Sequence, residues 1–122
     1  TGVILSKGCV DLYNPKTIRS TMGSVYRVPT LYTEDLRETV ELLKAHGIRS
    51  FAAHLKGVNF YDQENYRDGT AFLIGNEGNG LTEELTEQAD TLIRIPMEGK
   101  LESLNAGVAS AILMYEAYRQ RR

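Results

Sequence analysis

Ala71-Phe-Leu-Ile-Gly-Asn-Glu-Gly-Asn-Gly-Leu81 is the stretch whose reading decides the fold, and Ile95-Pro-Met-Glu-Gly-Lys-Leu-Glu-Ser-Leu-Asn105 completes it. Four apolar residues, Ala71 to Ile74, stop at a run holding three glycines. A short apolar run broken by glycine predicts a buried strand leaving its sheet at a sharp turn. Thr82 offers an N-cap to the helix that follows, and Glu83 and Glu84 suit its first turn. Thr91 to Ile95 repeats the strand pattern and is closed by Pro96. A turn with Gly99 leads into a long helix, with Ser103 as the expected N-cap and Leu104, Val108, Ala111, Ile112, Tyr115 and Tyr118 as the expected apolar stripe. In open α/β sheets ligands bind beyond the carboxyl ends of strands, so the two turns predict one pocket.

Working outward, Val3 to Ser6 reads as a strand. Asn14-Pro15 marks a helix start, with Ile18, Met22, Val25 and Tyr26 as its face and Pro29 as its limit. Thr30 to Tyr32 reads as a short strand. Thr33 is the expected cap of the next helix, whose stripe is Leu36, Val40 and Leu43 and whose end is Gly47. Ile48 to Leu55 reads as a strand and Lys56 to Asp68 as a loop. Strands alternating with helices predict a parallel α/β sheet flanked by helices. Chain-crossing rules alone predict that the sheet is unknotted.

The bulk properties narrow the function. A chain of 122 residues suits one domain with a modest core. A formal net charge of −2 gives no basic signature for nucleic acid, so an RNA-directed protein of this composition needs a local basic patch or a second basic part. The single cysteine, Cys9, excludes an internal disulfide and fits a reducing cytoplasm. No apolar run approaches the ~20 residues that span a bilayer. His46 and His54 lack a Cys, His or acidic partner at ligand spacing, so no metal is expected. The glycines do not follow the G-x-G-x-x-G of a dinucleotide site, and Gly99-Lys100 is followed by Leu101, which excludes a P-loop.

Gly75-Asn-Glu-Gly-x-Gly-Leu81 and Ile95-Pro-Met-x-Gly-x-x-x-Ser-Leu-Asn105 resemble the second and third motifs of the SpoU/TrmH branch of the SPOUT methyltransferases. Ser6 to Gly23 is similar to the segment that follows that family's first motif. The resemblance implies an α/β trefoil-knot fold, a homodimer, S-adenosyl-L-methionine as cofactor, and methylation of a ribose 2′-hydroxyl in tRNA or rRNA. It implies that Gly75, Asn76, Gly78, Ile95, Met97 and Leu104 hold the cofactor, largely through backbone atoms. Glu77, Ser103 and Asn105 are the implied catalytic residues. Glu77 would orient its neighbours rather than act as a base, and both Ser103 and Asn105 are also candidate helix caps. Lys16, Arg19, Ser20 and Arg27 are the implied RNA contacts, by way of phosphates.

The family's first motif, Asn-x-Gly-x-Ile-x-Arg, carries an arginine held to be catalytic. Asn14-Pro-Lys-Thr-Ile-Arg19 imitates it, but Lys16 replaces the glycine and Arg19 comes one residue early. The resemblance therefore implies that residues 1–122 are a single SPOUT domain whose N-terminal strand–helix unit, with that arginine, lies upstream. The alternative is a non-catalytic module that keeps the cofactor pocket or the dimer surface.

Overall fold

A computed structural model describes residues 1–122. The chain divides into two compact units, Thr1–Thr39 and Val40–Arg122. In the first unit, β1 (Val3–Ser6) pairs in parallel with β2 (Thr30–Thr33), Val3 opposite Thr30. The Tyr32 hydroxyl pins the loop after β1: it accepts from the Leu12 N–H at 3.1 Å and donates to the Val10 carbonyl at 2.9 Å. α1 (Pro15–Ser20) begins where expected, with Pro15 in the first turn and Asn14 Oδ1 accepting from the Lys16 N–H.

The helix expected to run on toward Pro29 stops after one and a half turns. Ser20 and Thr21 turn their hydroxyls onto the Thr17 and Ile18 carbonyls, the local competition that ends helices. Met22 and Gly23 then take left-handed φ values of 50° and 89°, and Ser24–Tyr26 is a separate 3₁₀ turn. Met22 and Tyr26, expected on a buried face, are exposed. The cap of α2 (Leu36–Ala45) also differs from expectation. Asp35, not Thr33, supplies it, with Oδ1 accepting from the Arg37 N–H at 2.9 Å, while Thr33 bonds the Thr39 hydroxyl. A carboxylate suits a helix N-terminus better than a hydroxyl does. Gly47 closes α2 as predicted, with φ 75°.

The second unit holds a four-stranded, all-parallel sheet in the order β4-β6-β3-β5. β3 is Arg49–Ala53, β4 Asn59–Phe60, β5 Thr70–Leu73 and β6 Thr91–Arg94. α3 (Glu83–Gln88) is capped by Thr82 as predicted, and α4 is Ala106–Arg121. β4 falls inside the expected loop, and β3 ends two residues sooner than expected, at Ala53.

The register explains both departures. Ala53 and Asn59 pair with the same residue, Ile93, from opposite sides. Residues 54–58 therefore bridge from one neighbour of β6 to the other across β6 itself. The crossing is backbone on backbone: a Cβ at Gly57 would lie 2.6 Å from the Ile93 carbonyl carbon, so only glycine fits. The His54 N–H donates to the Ile93 carbonyl at 2.9 Å and completes the crossing.

Phe51, Tyr66, Ile93, Leu113 and Ala117 form the main core, joined by Phe72, Tyr61 and Ile95. Tyr66 packs edge-on against Phe51 and Phe72, and its hydroxyl donates to the Tyr61 carbonyl. Burial raises that phenol's pKa, with Glu64 adding to the shift. The expected stripe of α4 is mostly exposed: the helix buries Leu113, Glu116 and Ala117, while Val108, Ala111, Tyr115 and Tyr118 face out.

A buried glutamate on that face needs partners. Glu116 accepts from Arg119 Nε and Nη2, at 2.8 and 2.6 Å, and from the Gln120 amide at 2.9 Å. The Arg119 bond is the main reason its carboxyl titrates below the usual range. Gln120 also accepts from the Tyr66 N–H and donates to the Glu64 carbonyl, and Arg121 donates to the Tyr66 and Asp68 carbonyls. The basic end of α4 thus anchors residues 64–68, a task beyond complementing the helix dipole.

Candidate functional site

The carboxyl ends of β3, β5 and β6 and the start of α4 enclose a cleft of about 400 Å³. β3 contributes Ala53, His54 and Leu55; β5 leads into Leu73 to Leu81; β6 leads into Arg94, Ile95 and Met97. Glu102, Ser103, Leu104, Ala106 and Ala109 close it. Parallel strands deliver their loops to one edge, which is why segments far apart in sequence meet there.

The loop after β5 is held by its own backbone. Asn76 and Gly80 exchange two hydrogen bonds, at 3.2 and 2.7 Å. Asn76 Oδ1 accepts from the Gly78 N–H at 2.7 Å and the Asn79 N–H at 3.2 Å. Both arms of the loop close on Gly75, where a Cβ would fall 2.3 Å from the Gly80 carbonyl carbon and 2.4 Å from the Leu81 nitrogen. Gly75 is therefore required first by the loop itself, before any ligand approaches it. Asn76 likewise spends its side-chain oxygen within the loop.

Of the residues singled out from the sequence, Gly75, Asn76, Glu77, Gly78, Ile95, Met97, Ser103 and Leu104 all line the cleft. Glu77 and Ser103 are exposed. Asn105 does not line it. Asn105 is the N-cap of α4, its Oδ1 accepting from the Gly107 and Val108 N–H groups at 2.9 and 3.2 Å. The cap expected at Ser103 is corrected accordingly: α4 starts at Ala106, too far along for Ser103 to reach its first N–H groups. Lys16, Arg19, Ser20 and Arg27 belong to the other compact unit. All four are exposed there, on α1 and just after the 3₁₀ turn.

The sequence reading missed the whole β3 side of the cleft. His54 Nδ1 accepts from the Lys56 N–H at 3.0 Å, so Nε2 is the nitrogen left for a ligand. Arg94 lines the cleft with its guanidinium 5.1 Å from the Phe60 ring centroid. The strand itself was legible in the sequence, but that it ends beside the other two is set by the pairing of the sheet. At the opposite end of the sheet, Asp90 ties the start of β6 to β3. Its carboxylate accepts from the Ser50 N–H at 2.8 Å and the Ser50 hydroxyl at 3.2 Å, and it lies 3.7 Å from Lys44. The Ser50 N–H, foremost, holds its pKa below the usual range.

Glycine-bounded loops whose backbone faces an apolar wall of Leu73, Ile95 and Leu104 suit a flat heterocycle with hydrogen-bonding edges. No cluster of metal-ligating side chains is present, and no helix is long and apolar enough to cross a membrane.

Residues 1–115 match the model of the SpoU rRNA Methylase family. The chain is 36% identical over 113 residues to the 23S rRNA (guanosine(2553)-2′-O)-methyltransferase RlmP of Bacillus subtilis, covering 93% of this chain and 45% of that protein. Among solved structures it superposes on the AdoMet-bound rRNA methyltransferase from Sinorhizobium meliloti with a TM-score of 0.86, at 36% identity, covering 97% of this chain and 45% of the other. The SpoU methyltransferase AviRb from Streptomyces viridochromogenes, in complex with the cofactor AdoMet, gives a TM-score of 0.89 at 31% identity, over 98% and 47% of the two chains. The chain thus spans about half the length of the curated relatives it matches.

Proposed function

We propose that this chain, which belongs to the SpoU rRNA methylase family, carries the cofactor site of an S-adenosyl-L-methionine-dependent RNA 2′-O-ribose methyltransferase. The observation that carries the reading is the cleft itself. Three parallel strands end in loops at one edge, one of them a self-closed glycine loop, against an apolar wall. The cofactor, when bound, supplies a methyl group on a sulfonium. Gly75, Gly78, Ile95, Met97 and Leu104 would hold it, with Asn76 acting through the loop it braces. The ribose oxygen must shed its proton as the methyl arrives, and holding the two reactants in line supplies much of the rate. Glu77 and Ser103 would orient that oxygen's surroundings, a reading supported by their exposed positions on the cleft lining. Asn105 acts by fixing the first turn of α4 beside the cleft.

The finer parts of the proposal rest on particular features. Lys16, Arg19, Ser20 and Arg27 are the RNA contacts in the first unit, supported by their exposure. The trefoil knot is supported by the bridge at residues 54–58, which crosses β6. On this reading residues 1–122 belong to one SPOUT catalytic domain acting in the cytoplasm. Val108, Met114, Tyr115 and Tyr118 leave α4 with an apolar outer face, 49–73% exposed; a second copy of the chain would cover it. Light scattering should then give a dimer, and Tyr115→Asp with Tyr118→Asp a folded monomer. A monomeric wild type removes this part.

The decisive test is methyl transfer. The full-length protein should move a radiolabelled methyl group from S-adenosylmethionine to ribose in unmodified rRNA or tRNA, and calorimetry should show S-adenosylhomocysteine binding. Transfer to a base sinks the ribose assignment. Cofactor binding without transfer favours the non-catalytic module.

A further inference from the structure

Arg94 stands apart from the other arginines of the second unit. It sits at the last position of β6, directly opposite Phe60 in the register, so the two side chains share one face of the sheet. The guanidinium lies 5.1 Å from the Phe60 centroid, close enough for cation–π attraction. Phe60 thus supports the group from one side. No carboxylate or carbonyl of the chain takes its guanidinium donors: the Arg94 side chain makes no hydrogen bond and no ion pair. It is exposed, lines the cleft, and immediately precedes Ile95 of the cofactor loop.

The contrast with its counterpart is informative. Arg49 stacks on Phe51 at 4.9 Å but lies at the amino end of β3, where it donates to Thr91 Oγ1. Arg119 and Arg121 are likewise committed, to Glu116 and to the Tyr66 and Asp68 carbonyls. Only Arg94 combines an aromatic support, an unspent donor edge and a place on the cleft. Beside it, the 54–58 bridge presses Gly57 onto the Ile93–Arg94 peptide, and the exposed Lys56 immediately precedes Gly57 on that bridge.

A guanidinium held over an aromatic ring with its donor fork free is built to take two oxygens of one oxyanion. We propose that Arg94, braced by Phe60 and accompanied by Lys56, is a phosphate-binding subsite for RNA at the rim of the cofactor cleft. It would grip the backbone next to the nucleotide whose ribose enters. This inference rests on the RNA reading above and adds a site to it. A phosphate is favoured over the cofactor's own carboxylate because the group is at the exposed rim rather than the floor. A chain of net charge −2 also needs local cations to meet a polyanion.

The test uses the full-length protein with fluorescently labelled, unmodified rRNA and tRNA transcripts, read by anisotropy over a range of salt. Arg94→Gln should weaken RNA binding about 10-fold, the scale of one charged hydrogen-bonded contact. It should also flatten the dependence of log affinity on log salt by about 0.7–0.9, the signature of one phosphate. Arg94→Lys should keep the salt slope but lose affinity, because charge remains and the fork does not. Phe60→Leu should act like Arg94→Lys. S-adenosylhomocysteine affinity should stay within about twofold in all three. An unchanged salt slope in Arg94→Gln overturns the subsite, as does full affinity in Arg94→Lys. A parallel loss of S-adenosylhomocysteine binding reassigns Arg94 to the cofactor and overturns it too. A wild type that binds S-adenosylhomocysteine but none of the transcripts overturns both the subsite and the RNA reading.

Discussion

Replacing Gly75 with alanine adds one methyl group at the most crowded backbone position beside the cleft. Its Cβ would stand 2.3 Å from the Gly80 carbonyl carbon, 2.4 Å from the Leu81 nitrogen and 2.7 Å from the Gly80 Cα, where ordinary contact begins at 3.4 Å. All three atoms are main chain, so no rotamer change relieves the clash; one arm of the loop must move by roughly 1 Å. That movement separates the Asn76–Gly80 pair, whose two hydrogen bonds contribute about 1 kcal/mol each. Residual overpacking adds about 1–3 kcal/mol. Gly75→Ala should therefore lower the unfolding free energy by about 3–5 kcal/mol, read as a reduced urea midpoint with an unchanged slope. If the strain is released by opening the loop instead, the closed loop becomes a minor state and S-adenosylhomocysteine affinity falls by about tenfold or more. The control is Gly78→Ala, whose Cβ would meet only the Asn76 side-chain oxygen, at 3.2 Å; it should stay within about 0.5–1 kcal/mol of wild type. Gly75→Ala with wild-type midpoint and affinity would refute the reasoning, as would a Gly78→Ala effect larger than that of Gly75→Ala.

Gly57→Ala places a Cβ 2.6 Å from the Ile93 carbonyl carbon and 2.9 Å from the Arg94 nitrogen; denaturation should show a loss of about 3 kcal/mol, and near-neutrality would mean that the bridge does not cross β6 so closely. Asp90 has a folded pKa depressed chiefly by the Ser50 N–H. Its stabilising contribution is present above the unfolded value near pH 3.9 and is lost as pH falls through the folded value. Wild type should thus lose more stability than Asp90→Asn as pH falls from about 5 toward 3, and parallel pH curves would contradict the assignment. Asn105→Ala should cost about 1 kcal/mol as a lost cap, and Asn105→Ser should restore most of it. Methyl transfer that tracks stability across the pair would make Asn105 a cap alone, whereas a serine variant that is stable but slow would support its reaction role.

Much of this protein is written in local sequence. Asn14-Pro15, Thr82 and Gly47 fix helix ends through side-chain and glycine chemistry that acts over two to four residues. The apolar runs ending at Gly75 and Pro96 fix two strand ends, and through them two walls of the cleft. Those two walls hold five of the six implied cofactor residues, and Leu104 joins them from the segment before α4. A third local signal, alternation of strands and helices, was enough for a parallel sheet.

What the sequence left open depends on partners far away along the chain. β4 has two residues and no periodicity of its own; it is a strand only because β6 passes beside it. The insertion of β6 between β3 and β4 could not be read, because hydrogen-bond partners in a sheet carry no mark in the residues that form them. With that insertion came the bridge at residues 54–58, the need for Gly57, and the placing of His54 and Arg94 on the cleft. α4 failed differently. Ala106 to Tyr115 is apolar nearly all round, so spacing alone selects no face. Packing chose Leu113 and Ala117, and the Arg119 and Gln120 contacts let Glu116 go in with them. The exposed tyrosine face was the remainder. Local chemistry determined where elements begin and end; the tertiary structure decided which strands adjoin and which helix face is covered, because both are settled by contacts between residues that the chain itself holds far apart.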